Sequence, residues 1–383
     1  ADSFEAIDDV KKSIASNMVA LGFGSPASGS FWETFGTISA NLSNAEKSEA
    51  MLQALTYGKL LRLETALAAV QGLPTREMPL SATADEKAQI ASYNKMIEDN
   101  NVVYAKLDNN ILSVNAAPIN IGPLISERLK AITSIVITSA TLAAGDSFAH
   151  LSEEMGIKPT HQLILPHTFD YHRQALLYIP KNITPPGQKD TQAKYIDDLA
   201  DQALKLMVAS KGNAFMLFTS TDDMNAVAAI LKPRLAANNI TAFVQGADGQ
   251  ASAVLSQFMC THNSVLLGLK SFWEGVDVQG DKLRLVIIAK LPFPQEKDPI
   301  VTARKKKHGD NAFHRVNMTD MIIDLKQGAG RLIRSKDDRG VVALLDNRIW
   351  TKQYGQQVIK ALPFTQRTSD LSLTTKFLGS LGK

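Results

Sequence analysis

Cysteine is almost missing from these 383 residues: Cys260 stands alone. One thiol excludes an internal disulfide, and equally a four-cysteine zinc site or a four-cysteine iron–sulfur cluster within the chain. A reduced, cytoplasmic setting is the expectation. Charge of one sign is scarce too. Forty-one basic and 38 acidic side chains leave a net charge of +3, so any basic surface has to be local. No apolar run reaches the roughly 18 residues of a membrane span, and no membrane partner is expected. The chain opens Ala1-Asp2-Ser3-Phe4-Glu5, without Met and without the apolar stretch of a secretory leader; it reads as a piece of something longer. No G-x-x-x-x-G-K-[ST] phosphate loop occurs. Gly22-Phe23-Gly24-Ser25-Pro26-Ala27 matches a loose dinucleotide pattern but follows a helical stretch instead of a strand, so it is set aside. Asp85-Glu86 lacks the apolar strand that a magnesium-binding acidic box needs, and His167 and His172 have no further ligands at metal spacing. No metal ligand is assigned.

What is present is an ordinary folded composition, 45% hydrophobic and 21% charged, long enough for two or three domains. Residues 1–100 read helical: Ile7, Val10, Ile14, Met18 and Leu21 recur at three- and four-residue spacing, as do the apolar residues around Leu52–Val70. From residue 101 the texture changes. Val102–Leu107 and Ile111–Val114 flank Asp108-Asn109-Asn110, a hairpin signal. A helix over 122–130 leads to Ser134-Ile135-Val136-Ile137-Thr138, a β-branched run typical of a buried parallel strand. After Pro166 the rhythm is strand, helix, strand, helix. Strands are expected at Leu176–Ile179, Ala214–Phe218, Thr241–Val244, Ser264–Leu267, Leu283–Ala289 and Val341–Leu345. Helices are expected at 191–210, 222–236, 250–259 and 317–328. Such alternation predicts a doubly wound, mostly parallel α/β sheet with helices on both faces. Arg304-Lys305-Lys306-Lys307-His308 reads as a solvated helix face.

Four segments carry chemistry. Ser139-Ala140-Thr141 follows the β-branched run, where hydroxyls could meet a phosphate or cap a helix. Thr219-Ser220-Thr221 ends a strand at a helix N-terminus, either a phosphate-binding corner or one cap and two spectators. Gly268-Leu269-Lys270-Ser271-Phe272-Trp273-Glu274-Gly275-Val276-Asp277 crowds aromatics, acids and glycines into one loop, which favours function over a plain turn. Gln327-Gly328-Ala329-Gly330-Arg331-Leu332-Ile333-Arg334 puts Gln327, Arg331 and Arg334 on one face if the helix continues, with Gly330 letting another surface approach closely. Two guanidinium forks there suit a terminal phosphate; surface arginines in weak ion pairs are the alternative.

In order and spacing these segments resemble motifs III, IV, V and VI of superfamily 2 helicases. The strings Ser271-Phe272-Trp273-Glu274-Gly275-Val276-Asp277, Leu291-Pro292-Phe293-Pro294 with Asp298-Pro299, and Gln327 to Ser335 are similar to the bacterial DinG/YoaA relatives of the XPD helicases. Asp346-Asn347-Arg348, Tyr354-Gly355 and Leu362-Pro363 continue the likeness, which runs from about 118 to 363. The resemblance implies a RecA-like P-loop NTPase helicase fold and ATP-driven 5′→3′ movement on single-stranded DNA. It divides the chain into a helical arch-like insertion (1–100), the last part of a first RecA-like domain (101–167) and a complete second one (168–383). ATP and Mg2+ would be bound mainly by the rest of the first domain, the expected partner within the same polypeptide and absent from this chain. Any iron–sulfur domain would also lie upstream.

By the same resemblance, Arg331 and Arg334 serve the γ-phosphate and Gln327 senses the nucleotide. Glu274 and Asp277 couple ATP to DNA, with Gly275 and Gly330 allowing close approach; Ser139 and Thr141 link hydrolysis to domain movement. Thr219 and Ser220 touch the DNA backbone. Lys270 is open to a phosphate contact. Phe272 and Trp273 either stack a base or pack beneath their loop. A non-catalytic nucleic-acid-binding or regulatory module is the alternative of another class, and a pure binder has no use for both arginines.

Overall fold

The computed structural model describes residues 11–16, 100–108, 111–139, 142–143, 147–166, 168–273, 278 and 280–381. Of the expected helical region 1–100, residues 11–16 are helical; the other residues of that region up to 99 lie outside the described residues. Two compact units divide the chain, one of residues 1–121 with 297–304 and one of residues 122–296 with 305–383.

The first unit contains the expected hairpin. Strand β1 (Asn101–Asp108) pairs antiparallel with β2 (Ile111–Pro118), Asp108 opposite Ile111 and Asn101 opposite Pro118.

The second unit begins with α1 (Gly122–Leu129) and α2 (Ala149–Met155). It then builds one sheet from β3 (Ala175–Tyr178), β4 (Ala214–Leu217), β5 (Thr241–Val244), β6 (Ser264–Gly268), β7 (Leu285–Ile288), β8 (Gly340–Leu344) and β9 (Gln366–Thr368). The strands lie in the order β5-β6-β4-β7-β8-β3-β9, every pair parallel. Side chains alternate between faces along a strand. Phe215, Leu217, Val286, Ile288, Val342 and Leu344 enter one core; Ala214, Met216, Leu285, Ile287, Val341 and Ala343 enter the other. Helices α3 (Gln192–Ala209), α4 (Thr221–Ala236) and α9 (Leu371–Ser380) cover the second face. The first is covered by α5 (Ala251–Cys260), α7 (Thr319–Ala329) and α8 (Gly355–Ala361). Helix α6 (Pro299–His308) carries the basic tract, with its lysines and arginine partly or fully exposed. Because both faces are covered, the strands read as near-continuous apolar runs.

One expected strand is absent, and one expected helix face is broken. Ser134–Thr138 forms neither strand nor helix, and Val136 is 88% exposed. A β-branched run is buried only if strands flank it, and the seven places in this sheet are taken by others. The helix expected over 317–328 starts as a π-helix at Phe313–Met318, continues as α7 and ends at Ala329. Gln327, Arg331 and Arg334 therefore do not share a helix face. Gly330 caps the helix, and the chain turns so that Leu332 and Ile333 enter the core. Among the described residues no helix is long and apolar enough to cross a membrane.

Candidate active site and nucleic-acid interface

With every strand parallel, the carboxyl ends line one edge of the sheet, where open α/β sheets bind ligands. Ser220 follows β4 there and caps α4, its hydroxyl accepting from the Asp223 N–H at 3.3 Å. The cap leaves the O–H able to donate. The first turn of α4 holds Asp222 and Asp223, which already meet the positive end of the helix. Asp223 is buried and takes the Lys290 ammonium at 2.6 Å and the Gln192 amide at 2.9 Å. The phosphate-binding corner suggested by the sequence is thus occupied by the chain's own carboxylates, and Thr219 and Ser220 are left with hydroxyl contacts. Beside them lies a cleft of about 420 Å³ lined by Thr221, Asn225, Lys232, Gln245 and Gly246, among others.

Gln245 joins that cleft to the loop after β6: its Oε1 accepts from the Leu269 N–H (2.8 Å) and the Ser271 hydroxyl (3.3 Å). The loop then makes a 3₁₀ turn over Lys270–Phe272. Lys270 stays mostly exposed and reaches Asp324 on α7 at 2.9 Å. Phe272 packs edge-on to Phe215, with ring centroids 6.2 Å apart, and covers Gly268. Trp273 lies across Gly328 of α7; a Cβ there would stand 2.7 Å from Trp273 Cε3. Both rings are almost fully buried. Base stacking by Phe272 and Trp273 is therefore corrected to packing, because rings enclosed in the core present no face to a base. Glu274, Gly275 and Asp277 lie outside the described residues, as does Thr141; Ser139 is exposed.

The arginine segment follows. Arg331 donates through Nε to the Gln327 carbonyl at 3.3 Å, and Arg331 and Arg334 are both half-buried. Gln327 Oε1 is buried with no hydrogen-bond partner, a cost tolerated mainly where a ligand or function compensates. Burial pushes the Tyr171 phenol up, and the nearby Arg334 guanidinium opposes that shift. The close approach expected at Gly330 occurs instead at Gly328: Gly330 is exposed, and a Cβ there would meet only its own helix's carbonyls. Two residues missed by the sequence reading hold the segment. Asp338 accepts from the Arg334 and Ser335 backbone N–H groups, and Gln174 donates to the carbonyls of Ser335, Lys336 and Asp338. Their only signal in sequence is an Asp three residues after Ser335.

The two guanidinium groups suit a nucleotide's terminal phosphate, whereas the orphaned Gln327 oxygen, an acceptor, calls for a donor. The same two guanidinium groups do not suit magnesium, because like charges repel.

Residues 203–365 match the helicase C-terminal domain family. The ATP-dependent DNA helicase YoaA of Escherichia coli K12 is 39% identical over 248 residues, 64% of this chain and 38% of that protein. The 3′-5′ exonuclease DinG of Bacillus subtilis is 33% identical over 283 residues, covering 70% and 30%. The ATP-dependent helicase DinG of Mycobacterium tuberculosis H37Ra is 32% identical over 304 residues, covering 76% and 45%. The chain thus spans less than half the length of these relatives. Two solved XPD structures share the fold: an XPD helicase (TM-score 0.53, 17% identity, 86% of this chain and 56% of that one) and an apo XPD (TM-score 0.55, 15% identity, 89% and 62%). The expected α/β RecA-like helicase fold is borne out, and the chain is similar in sequence to the DinG and YoaA helicases and in fold to XPD.

Proposed function

We propose that this chain carries the second motor domain of an ATP-dependent DNA helicase that moves 5′→3′ on single-stranded DNA, in DNA repair or replication. The observation that carries the reading is the arginine segment: Arg331 and Arg334, half-buried just past the end of α7, with Arg331 bonded to the Gln327 carbonyl. ATP bound with Mg2+ mainly by a first motor domain would supply the γ-phosphoryl group. Arg331 and Arg334 then reach across to its oxygens, where planar donor forks stabilise the charge that spreads in phosphoryl transfer. Gln327 supplies the amide that reads whether nucleotide is present. Thr219, Ser220 and Lys270 offer hydroxyl and ammonium contacts to the DNA backbone. Glu274, Gly275 and Asp277, with Ser139 and Thr141, couple the two sites. The exposed apolar residues Ile135, Val136, Leu163 and Leu165 support an unfinished first domain, since such residues are ordinarily covered by neighbouring strands.

Arg334→Ala in the full-length protein tests this. ATP turnover should fall by roughly 10³-fold or more, the scale of an arginine finger. Arg334→Lys should not rescue it, because an ammonium lacks the fork. Melting of the present chain should change little, because the Arg334 backbone bond to Asp338 survives the substitution. A variant that unfolds the chain yet leaves turnover near normal would make Arg334 a structural residue. A full-length parent that binds single-stranded DNA without turning over ATP would favour the non-catalytic binding module.

A further inference from the structure

Asp338 is 3% exposed, and both its oxygens are engaged twice. Oδ2 accepts from the Arg334 N–H at 2.7 Å and the Ser335 N–H at 2.8 Å. Oδ1 accepts from the Ser335 hydroxyl at 2.8 Å and from the Gly280 N–H at 3.0 Å. Three of these donors belong to the arginine segment. The fourth belongs to the connection between β6 and β7, the same connection that places Trp273 against Gly328. One carboxylate therefore joins the β6–β7 connection, at Gly280, to the segment carrying Arg334. Gln174 closes the far side through three carbonyls, so residues 334–338 are held from both sides by buried polar groups.

The anchoring acts on Arg334 through its main chain. Ile333 is locked in the core and the Arg334 N–H is tied to Asp338, so the main chain that bears the guanidinium is fixed. We infer that Asp338 is a positioning residue for Arg334, setting where its guanidinium meets the terminal phosphate and linking that position to the β6–β7 connection through Gly280. Asp338 touches no substrate itself. The inference rests on the functional reading of Arg334 given above.

The test uses the full-length enzyme with Asp338→Asn, which keeps shape but turns one acceptor oxygen into an amide facing N–H donors. Turnover at saturating single-stranded DNA should fall by about 10²-fold, the scale of a misplaced catalytic group. The KM for ATP should stay within about threefold, since ground-state binding is untouched. Affinity for ADP with aluminium fluoride, a mimic of the transferring phosphoryl group, should drop while ADP affinity holds. Asp338→Glu should recover part of both losses. If Asp338→Asn does not fold, Ser335→Ala removes one of the four donors and should still lower turnover by about threefold with unchanged ADP affinity. Arg334→Ala is measured beside them. Normal turnover in Arg334→Ala overturns the functional reading and this inference with it. A dead Arg334→Ala beside an Asp338→Asn that only melts earlier, with parental turnover and aluminium-fluoride affinity, overturns the positioning role alone.

Discussion

Trp273 and Gly328 show how much a single methyl group decides in this site. The indole lies flat where a Cβ at residue 328 would stand, and Leu217 closes the third side at 3.4 Å from that Cβ position. Gly328→Ala therefore forces a buried ring to move, and overpacking of this kind costs about 1–3 kcal/mol. A thermal melt should show that loss. Trp273 Nε1 is buried without a partner, so Trp273→Phe sheds an unpaired donor as well as ring area. The double variant should accordingly lose less stability than the two single losses added, a coupling that a double-mutant cycle reads directly. Additive losses would mean that the ring and the glycine do not share the same space. The sequence showed an aromatic pair in a loop but not which way it faces: Phe272 and Trp273 look like base-stacking residues until Gly268 and Gly328 are seen to make room for them.

Helix α4 is the element where capping and nucleic-acid contact can be separated. Ser220 caps it, and replacing an N-cap serine with alanine costs about 1 kcal/mol. Ser220→Ala should lower the melting temperature of the chain accordingly. Ser220→Asp also caps well and should keep the parental melt, while adding a negative charge at the proposed DNA backbone contact. Its affinity for a short single-stranded oligonucleotide, read by fluorescence anisotropy, should fall. Unchanged affinity would leave Ser220 a cap alone. The sheet elements were legible from sequence because each strand is an apolar run closed by a polar or glycine-containing turn. Five of the six expected strands lie within one residue of their place at both ends, and Leu283–Ala289 contains β7. The short edge strand β9, Gln366-Arg367-Thr368, was not legible, since three polar residues carry no apolar pattern and only pairing with β3 makes them a strand.

At the scale of the molecule, the two cores flank one sheet. Arginines, an orphaned glutamine oxygen and hydroxyl groups are present; a phosphate loop is absent from the sequence, and no metal-binding cluster occurs among the described residues. Nothing in such a set holds the β- and γ-phosphates for the arginines to act on. The chain by itself should therefore turn over no ATP, with or without single-stranded DNA. DNA-stimulated hydrolysis that travels with the purified chain and is lost in Arg334→Ala would show that the set is complete after all.

The sequence alone determined the parallel α/β sheet, since apolar runs alternating with amphipathic helices admit few other packings. It also carried the likeness to helicases, since several long motifs agree in order and spacing. Tertiary structure decided what those motifs do locally. The turn at Gly330 takes Arg331 and Arg334 off the helix face on which regular spacing had put them, because Leu332 and Ile333 gain more by entering the core than the helix gains by continuing. The run 134–138 has every local feature of a buried strand and remains unpaired, because strand formation needs neighbours that local sequence cannot supply. Asp338 gave almost no signal in the sequence and takes up three donors from Arg334 and Ser335 and a fourth from distant Gly280, because a buried carboxylate is defined by what the fold brings to it.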